Sequence, residues 1–208
     1  MKRSASSRQW LQRHVSDPYV QRSRKEGYRS RAAYKLIEID ERDRLLGAGA
    51  LVVDLGAAPG GWSQVAARKA GTRGSVVAID LLDMPPVPGV TFLQADFASA
   101  AGLALVEAAL GGRRADLVLS DMAPNLSGIA VSDQARSVAL AELARDFALA
   151  HLKPDGALLV KVFQGEGYDA FLRSLRAAFV RVVVRKPGAS RGESAELYLL
   201  ARGLKPGA

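Results

Sequence analysis

The chain has 208 residues and a formal net charge of +8, from 29 Lys and Arg against 21 Asp and Glu. That length suits one domain with a substantial core, and 49% hydrophobic with 24% charged residues is ordinary for a globular protein. No apolar run reaches the roughly 18 residues needed to cross a bilayer. The absence of cysteine excludes disulfides, thiolate metal sites and cysteine nucleophiles, and with only His14 and His151 no histidine-based metal site is expected.

The net charge sits at the N-terminus. Residues 1–35 hold ten bases (Lys2, Arg3, Arg8, Arg13, Arg22, Arg24, Lys25, Arg29, Arg31, Lys35) and two acids (Asp17, Glu26), and the remaining 173 residues hold nineteen of each. Trp10, Tyr19, Tyr28 and Tyr34 are interleaved with these bases. Basic groups attract phosphates through counterion release, and aromatic faces stack on exposed bases. A solvated tail and a transit peptide rich in Arg and Ser are the competing readings of such a start.

Next in order, Arg31–Leu46 has the pattern of an amphipathic helix, with Ser30 as its N-cap and Gly47 ending it. From residue 50 short apolar runs alternate with helical patterns. Strands are predicted over Ala50–Leu55, Ser75–Asp80, Val90–Gln94, Ala115–Ser120, Ala157–Val162, Val180–Arg185 and Glu196–Ala201. Helices are predicted over Gln64–Ala70, Ser99–Leu110, Val131–Leu152 and Tyr168–Ala178, with Lys153-Pro154-Asp155-Gly156 read as a helix stop and turn. This alternation implies an α/β fold, a mostly parallel sheet covered on both faces. The last two strands are joined only by Lys186–Ala195, which predicts a hairpin and an antiparallel final strand.

The strongest local pattern is Asp54-Leu55-Gly56-Ala57-Ala58-Pro59-Gly60-Gly61-Trp62, spanning the end of the first strand and the start of a helix. In open α/β sheets ligands bind outside the carboxyl ends of the strands. A dinucleotide-binding turn would need G-x-G-x-x-G, and here three residues separate Gly56 from Gly60. Asp54 would also repel a pyrophosphate. A carboxylate there suits a cationic, phosphate-free ligand such as S-adenosylmethionine. Asp80 ends the second strand, where a carboxylate can accept ribose hydroxyls, and Asp96 follows the third, within reach of an adenine amino group. Taken singly both are ordinary turn residues; at successive strand ends on one edge they read as ligand contacts.

Four further residues bear on chemistry. Asp121 follows the fourth strand in Ser120-Asp121-Met122-Ala123-Pro124-Asn125, Lys161 lies in the apolar fifth strand, and Glu196 begins the last. A lysine inside a central strand is costly unless paired or functional. Lys35, on the preceding helix, reads equally well as a surface lysine, and Glu196 as an edge-strand charge.

Over nearly its whole length the chain resembles the FtsJ-type family, the large-subunit ribosomal RNA methyltransferase E group. The segments that carry the resemblance are Lys2-Arg3-Ser4, Arg29-Ser30-Arg31-Ala32-Ala33-Tyr34-Lys35-Leu36, the glycine loop, Ser120–Asn125, Lys161-Val162-Phe163-Gln164-Gly165, and Lys186-Pro187 to Ser194-Ala195-Glu196-Leu197-Tyr198. The resemblance implies a Rossmann-like fold dependent on S-adenosylmethionine, with a seven-stranded sheet and helices on both faces. It implies a Lys35-Asp121-Lys161-Glu196 tetrad, with Lys161 the proton acceptor. Contacts to the donor are implied for Gly60, Trp62, Asp80, Asp96 and Asp121, with Asp54, Gly56 and Pro59 lining the loop and no metal. The implied reaction is 2′-O-methylation of a uridine in the A-loop of 23S ribosomal RNA on the assembled 50S subunit, by a cytoplasmic monomer. Residues 1–30 would be an RNA-docking extension and 31–208 the methyltransferase domain.

In this reading Lys161 either accepts the 2′-hydroxyl proton or stays charged beside the developing oxyanion. Burial and the cation of Lys35 would favour loss of its proton, Asp121 would oppose that and orient the ammonium, and Glu196 would fix Lys35 or the ribose. A small-molecule methyltransferase would share the loop but need no basic arm. A non-catalytic assembly factor would keep the arm and could lose the tetrad.

Overall fold

The computed structural model describes residues 17–125, 127–190 and 194–207. Of the expected docking extension, residues 1–16 lie outside the described part. The described chain begins with a helix that the sequence reading does not anticipate, α1 (Pro18–Glu26). Its punctuation is plain in retrospect. Asp17 caps the N-terminus by accepting from the Tyr19 amide, Pro18 takes the first turn, and Gly27 ends it with φ 74°. α1 packs on the domain through Tyr19, which donates to Glu38 at 2.9 Å and whose ring packs, tilted, 5.6 Å from that of Tyr34.

α2 (Ala32–Asp43) is shorter than expected at both ends. Arg31, not Ser30, stands at its N-cap, and the helix stops at Arg44 with φ 50°, three residues before Gly47. The cause is Asp40, whose carboxylate accepts the amides of Leu45 and Leu46, each at 2.8 Å, in place of another helical turn. Thereafter come β1 (Leu51–Leu55), α3 (Gly61–Ala70), β2 (Ser75–Asp80), β3 (Val90–Gln94), α4 (Ala100–Leu110), β4 (Ala115–Ser120), α5 (Ala130–His151), β5 (Leu152–Phe163), α6 (Tyr168–Ala178), β6 (Phe179–Arg185) and β7 (Glu196–Leu204). α3 starts three residues before the predicted Gln64. The expected turn at Lys153–Gly156 is instead the irregular beginning of β5, where the register with β4 shifts between Ala115 and Leu117. Among the described residues no helix is long and apolar enough to cross a membrane.

The seven strands lie in the order β3-β2-β1-β4-β5-β7-β6. β1 to β5 are mutually parallel, and β7 runs antiparallel to both β5 and β6. Strand side chains alternate between faces, and this alternation builds two cores. Leu51, Val53, Leu55, Leu158, Val160 and Val162 pack with Val106, Phe147 and Phe171 beneath α4, α5 and α6. Val52, Leu119, Leu159, Tyr198 and Leu200 pack with Leu36, Trp62 and Val65 beneath α2 and α3. Burying one such large side chain contributes about 1.5–3 kcal/mol.

The same parity places the polar residues. Asp54 shares its face with Val52, Lys161 with Leu159, and Glu196 with Tyr198 and Leu200. All therefore point to the α2/α3 side. Because β7 is antiparallel, its first residues meet the last residues of β5: Lys161 lies opposite Tyr198 and Phe163 opposite Glu196.

Candidate active site

At the carboxyl edge of β4 and β5, on the α2/α3 face, the four charged residues meet as two ion pairs. Lys35 Nζ, from α2, lies 2.6 Å from Glu196 Oε1. Lys161 Nζ lies 3.2 Å from Asp121 Oδ1 and also donates to the Asp121 carbonyl. These side chains are largely buried, Lys161 at 8% exposure and Lys35 at 13%. Ser190 donates to Glu196 at 2.9 Å. Burial by itself would raise the Glu196 carboxyl, but Lys35, Ser190 and the charge of Lys161 together outweigh it and hold the group below the usual carboxylate range. Glu196 thus pairs with Lys35, one of the two roles that the sequence reading left open for it.

Tyr198 stands between the pairs. Its hydroxyl donates to Asp121 Oδ1 at 2.9 Å, Lys35 Nζ lies 5.7 Å from the centre of its ring, and the ring packs 5.6 Å from Trp62. Sequence reasoning gave Tyr198 no role, although strand parity from Glu196 puts it on the same face. Ser190 has no comparable signal, since it sits in an irregular connection.

The glycine loop leaves β1 beside this cluster. Gly56 and Ala57 both donate to the Ile79 carbonyl, at 2.9 and 3.1 Å, which folds the loop against the end of β2. Gly56 has φ 77°, and a Cβ there would lie 2.7 Å from Met122 Cγ, so a side chain has neither the backbone freedom nor the room. Asp80 clamps the loop, accepting from the amides of Ala58 and Leu82 at 2.9 and 2.8 Å. Asp96 is exposed, with one oxygen accepting from Ala98 at 2.9 Å. Arg29, between α1 and α2, reaches the carbonyls of Pro59, Pro85 and Pro86. Trp62 turns its indole inward, 3% exposed, and donates to the Ala32 carbonyl at 2.7 Å. Its backbone amide, in the first turn of α3, is what it offers to the loop side.

Asp54 differs from the exposed edge carboxylate that its position suggests. It is fully buried under the loop, accepts from Ser63 Oγ at 2.6 Å, and leaves Oδ1 buried without a partner. Burial, with Asp121 and Asp80 adding to it, pushes its carboxyl up to about 7. A carboxyl that binds its proton more tightly in the folded state contributes stability below its unfolded value, about pH 4, and this contribution is lost as pH rises to about 7. Asp54→Asn is expected to flatten that part of the stability curve. Urea midpoints of both proteins from pH 4 to 8 check this, and an identical pH slope would contradict it.

Beside the Lys35–Glu196 pair a recess opens, lined by Arg31, Ala32, Lys35, Ser194 and Glu196. One rim therefore carries a glycine loop with acidic strand ends, a buried set of paired lysines and carboxylates, and a basic recess.

A mostly parallel seven-stranded sheet with an antiparallel β7 and such a loop after β1 defines a Rossmann-like methyltransferase fold. The FtsJ-like methyltransferase family model matches residues 28–204, and the chain belongs to that family. It is 60% identical over 205 residues to the ribosomal RNA large subunit methyltransferase E of Azoarcus sp., covering 99% of this chain and 100% of the relative. It is 57% identical over 200 residues to the protein of the same name from Chromohalobacter salexigens, covering 96% and 95%. Among solved structures, a Plasmodium falciparum chain described as a ribosomal RNA methyltransferase superposes with a TM-score of 0.76 at 28% identity, covering 85% of this chain and 98% of that one.

Proposed function

We propose that this chain transfers a methyl group from S-adenosylmethionine to a ribose 2′-hydroxyl of large-subunit ribosomal RNA, at the A-loop uridine of 23S RNA on the assembled 50S subunit. The observation that carries the reading is the pairing of Lys161 with Asp121 and of Lys35 with Glu196 beside the glycine loop. The names and full-length similarity of the relatives support ribosomal RNA as the substrate.

The residues at the loop suit the donor. Asp54 holds the loop from beneath through Ser63 and does not itself face the donor. Gly56 and Gly60 take the positive φ that the loop's turns require, Pro59 lies between them, and Trp62 presents an amide at the start of α3. Asp80 and Asp96 supply carboxylates for ribose hydroxyls and an adenine amino group, and Asp121 borders both donor and acceptor. When bound, the donor supplies an electrophilic sulfonium methyl.

The chain's own work is to prepare the oxygen. Lys161 takes the 2′-hydroxyl proton as that oxygen is alkylated, Asp121 aims the lysine, and Lys35 with Glu196 fixes the ribose at the mouth of the recess. With Lys161 in that role the rate should climb with pH, because only the neutral amine can accept the proton. The direct test supplies labelled donor and unmethylated large subunits, and label confined to protein or small molecules would count against RNA as acceptor.

The basic start of the chain, residues 1–30, serves RNA docking. Within it α1 packs on the domain, and residues 1–16 hold Lys2, Arg3, Arg8 and Arg13. Deleting residues 1–16 is expected to make log affinity for RNA fall less steeply with log salt, by up to about three in slope, on the order of 0.7–0.9 per lost phosphate contact. Filter binding from 50 to 300 mM salt measures this, and an unchanged slope would remove those four bases from the interface.

A further inference from the structure

Tyr198 is a buried hydroxyl facing carboxylates in a core position that a phenylalanine would fill equally well. Its ring packs on Trp62 within the α2/α3 core, and packing alone does not call for an oxygen there. Burying a hydroxyl is unfavourable unless a partner is provided, and here the partner is Asp121, at 2.9 Å. Asp121 Oδ1 thus receives two donors, the phenol of Tyr198 and the ammonium of Lys161. The two donors stand side by side because Lys161 and Tyr198 are register partners across β5 and β7.

We infer that Tyr198 is a positioning residue of the methyl-transfer site, whose hydroxyl shares Asp121 with Lys161 and so weakens the carboxylate's hold on the lysine proton. This deepens the reading of Lys161 as proton acceptor and rests on it. A hydrogen bond donated to a carboxylate withdraws part of its negative charge, so an ammonium beside it is bound less tightly. The charged groups around Lys161 are Asp121 from β4, Glu196 and Tyr198 from β7, and Lys35 from α2. Glu196 is already satisfied by Lys35 and Ser190, and Asp54 faces Asp121 from β1. Tyr198 is thus the neutral donor set between the two ion pairs. Burial first, then Asp121 and Glu196, push its phenol well above the ordinary value, so the hydroxyl stays a donor wherever the enzyme works.

The experiment compares rate–pH curves of wild type and Tyr198→Phe. The variant keeps the ring and its packing on Trp62. Its midpoint is expected to move to higher pH by roughly half to one unit, the scale of one hydrogen bond to a charged group, which lowers the rate about 3- to 10-fold on the rising limb. The KM for RNA should stay unchanged. Site-specific 3-fluorotyrosine at position 198 keeps the size, donates more strongly, and should move the midpoint the other way. A midpoint that stays fixed in the fluorinated protein, or a rate loss in Tyr198→Phe equal at every pH, overturns the inference. NMR of the Lys161 side-chain nitrogen, without RNA or donor, separates this from the wider reading. If Lys161→Met still methylates RNA, the functional reading fails, while the nitrogen titration still reports whether Tyr198 acts on the lysine through Asp121.

Discussion

Lys161→Met is expected to lower the rate constant for methyl transfer by roughly 10²–10⁴-fold, the usual contribution of a positioned acid–base group, with donor affinity nearly unchanged. Methionine keeps the apolar stem of the lysine on the strand face that it shares with Leu159 and removes only the nitrogen that meets Asp121. Asp121 retains its bond from Tyr198, so the carboxylate is not left bare. Lys161→Arg should be nearly as inactive, because a guanidinium keeps its proton at any working pH. Single-turnover rates with saturating donor and RNA make the comparison, with calorimetry for the donor. An arginine variant with near-normal rate would turn Lys161 from a proton acceptor into a fixed cation beside the oxyanion.

The second large effect is on the scaffold. Gly102→Ala should destabilise the protein by about 2–3 kcal/mol, the upper part of the usual cost of forcing a side chain into packed surroundings. For a chain of this size that lowers the melting temperature by roughly 5–10 °C. A Cβ at Gly102 would stand 2.0 Å from the Asp96 carbonyl oxygen, 2.7 Å from its carbon and 3.2 Å from Phe97 Cα, and all three are backbone atoms that cannot swing aside. The helix preference of alanine, about 1 kcal/mol, acts in the opposite direction and is smaller. The loop that must yield carries Asp96, and its Phe97 packs edge-on against Phe147 at 5.5 Å. Donor affinity should therefore fall together with stability. Thermal melts and donor titrations test this, and a variant that melts at or above wild type would contradict the packing argument.

Much of the sheet was legible because its strands are short apolar runs bounded by turn residues, and because Asp80, Asp96 and Asp121 each follow a strand on one edge. The antiparallel last strand followed from a connection too short to hold a crossover helix, and it is what brings Glu196 next to Lys161. Less was legible where local chemistry competes with pattern. Asp40 ends α2 early by capping amides beyond it, and the Lys153–Gly156 stretch has turn composition yet enters β5 as an irregular edge against Ala115. Helix α1 lay under charge that reads as a tail, although Asp17-Pro18 and Gly27 marked its ends.

Within the site, residue types were legible but not their partners. The pairing of Glu196 with Lys35 was one of two roles open to it from sequence, but nothing there shows that Trp62 faces inward to Ala32 or that Asp54 is sealed beneath the loop by Ser63. Those facts depend on how the segments pack together, across 30 residues for Trp62 and Ala32 and nine for Asp54 and Ser63. Tyr198 was the recoverable omission, since period-2 alternation already puts it on the same face as Glu196.

The most direct measurement of the central claim is nucleoside mass spectrometry of 23S RNA from unmethylated large subunits, after incubation with the purified protein and isotopically labelled S-adenosylmethionine. The proposed chemistry predicts one labelled 2′-O-methyluridine, in the A-loop, absent when Lys161→Met replaces the wild type. Label on a base, at another nucleotide, or equally present with Lys161→Met would contradict it.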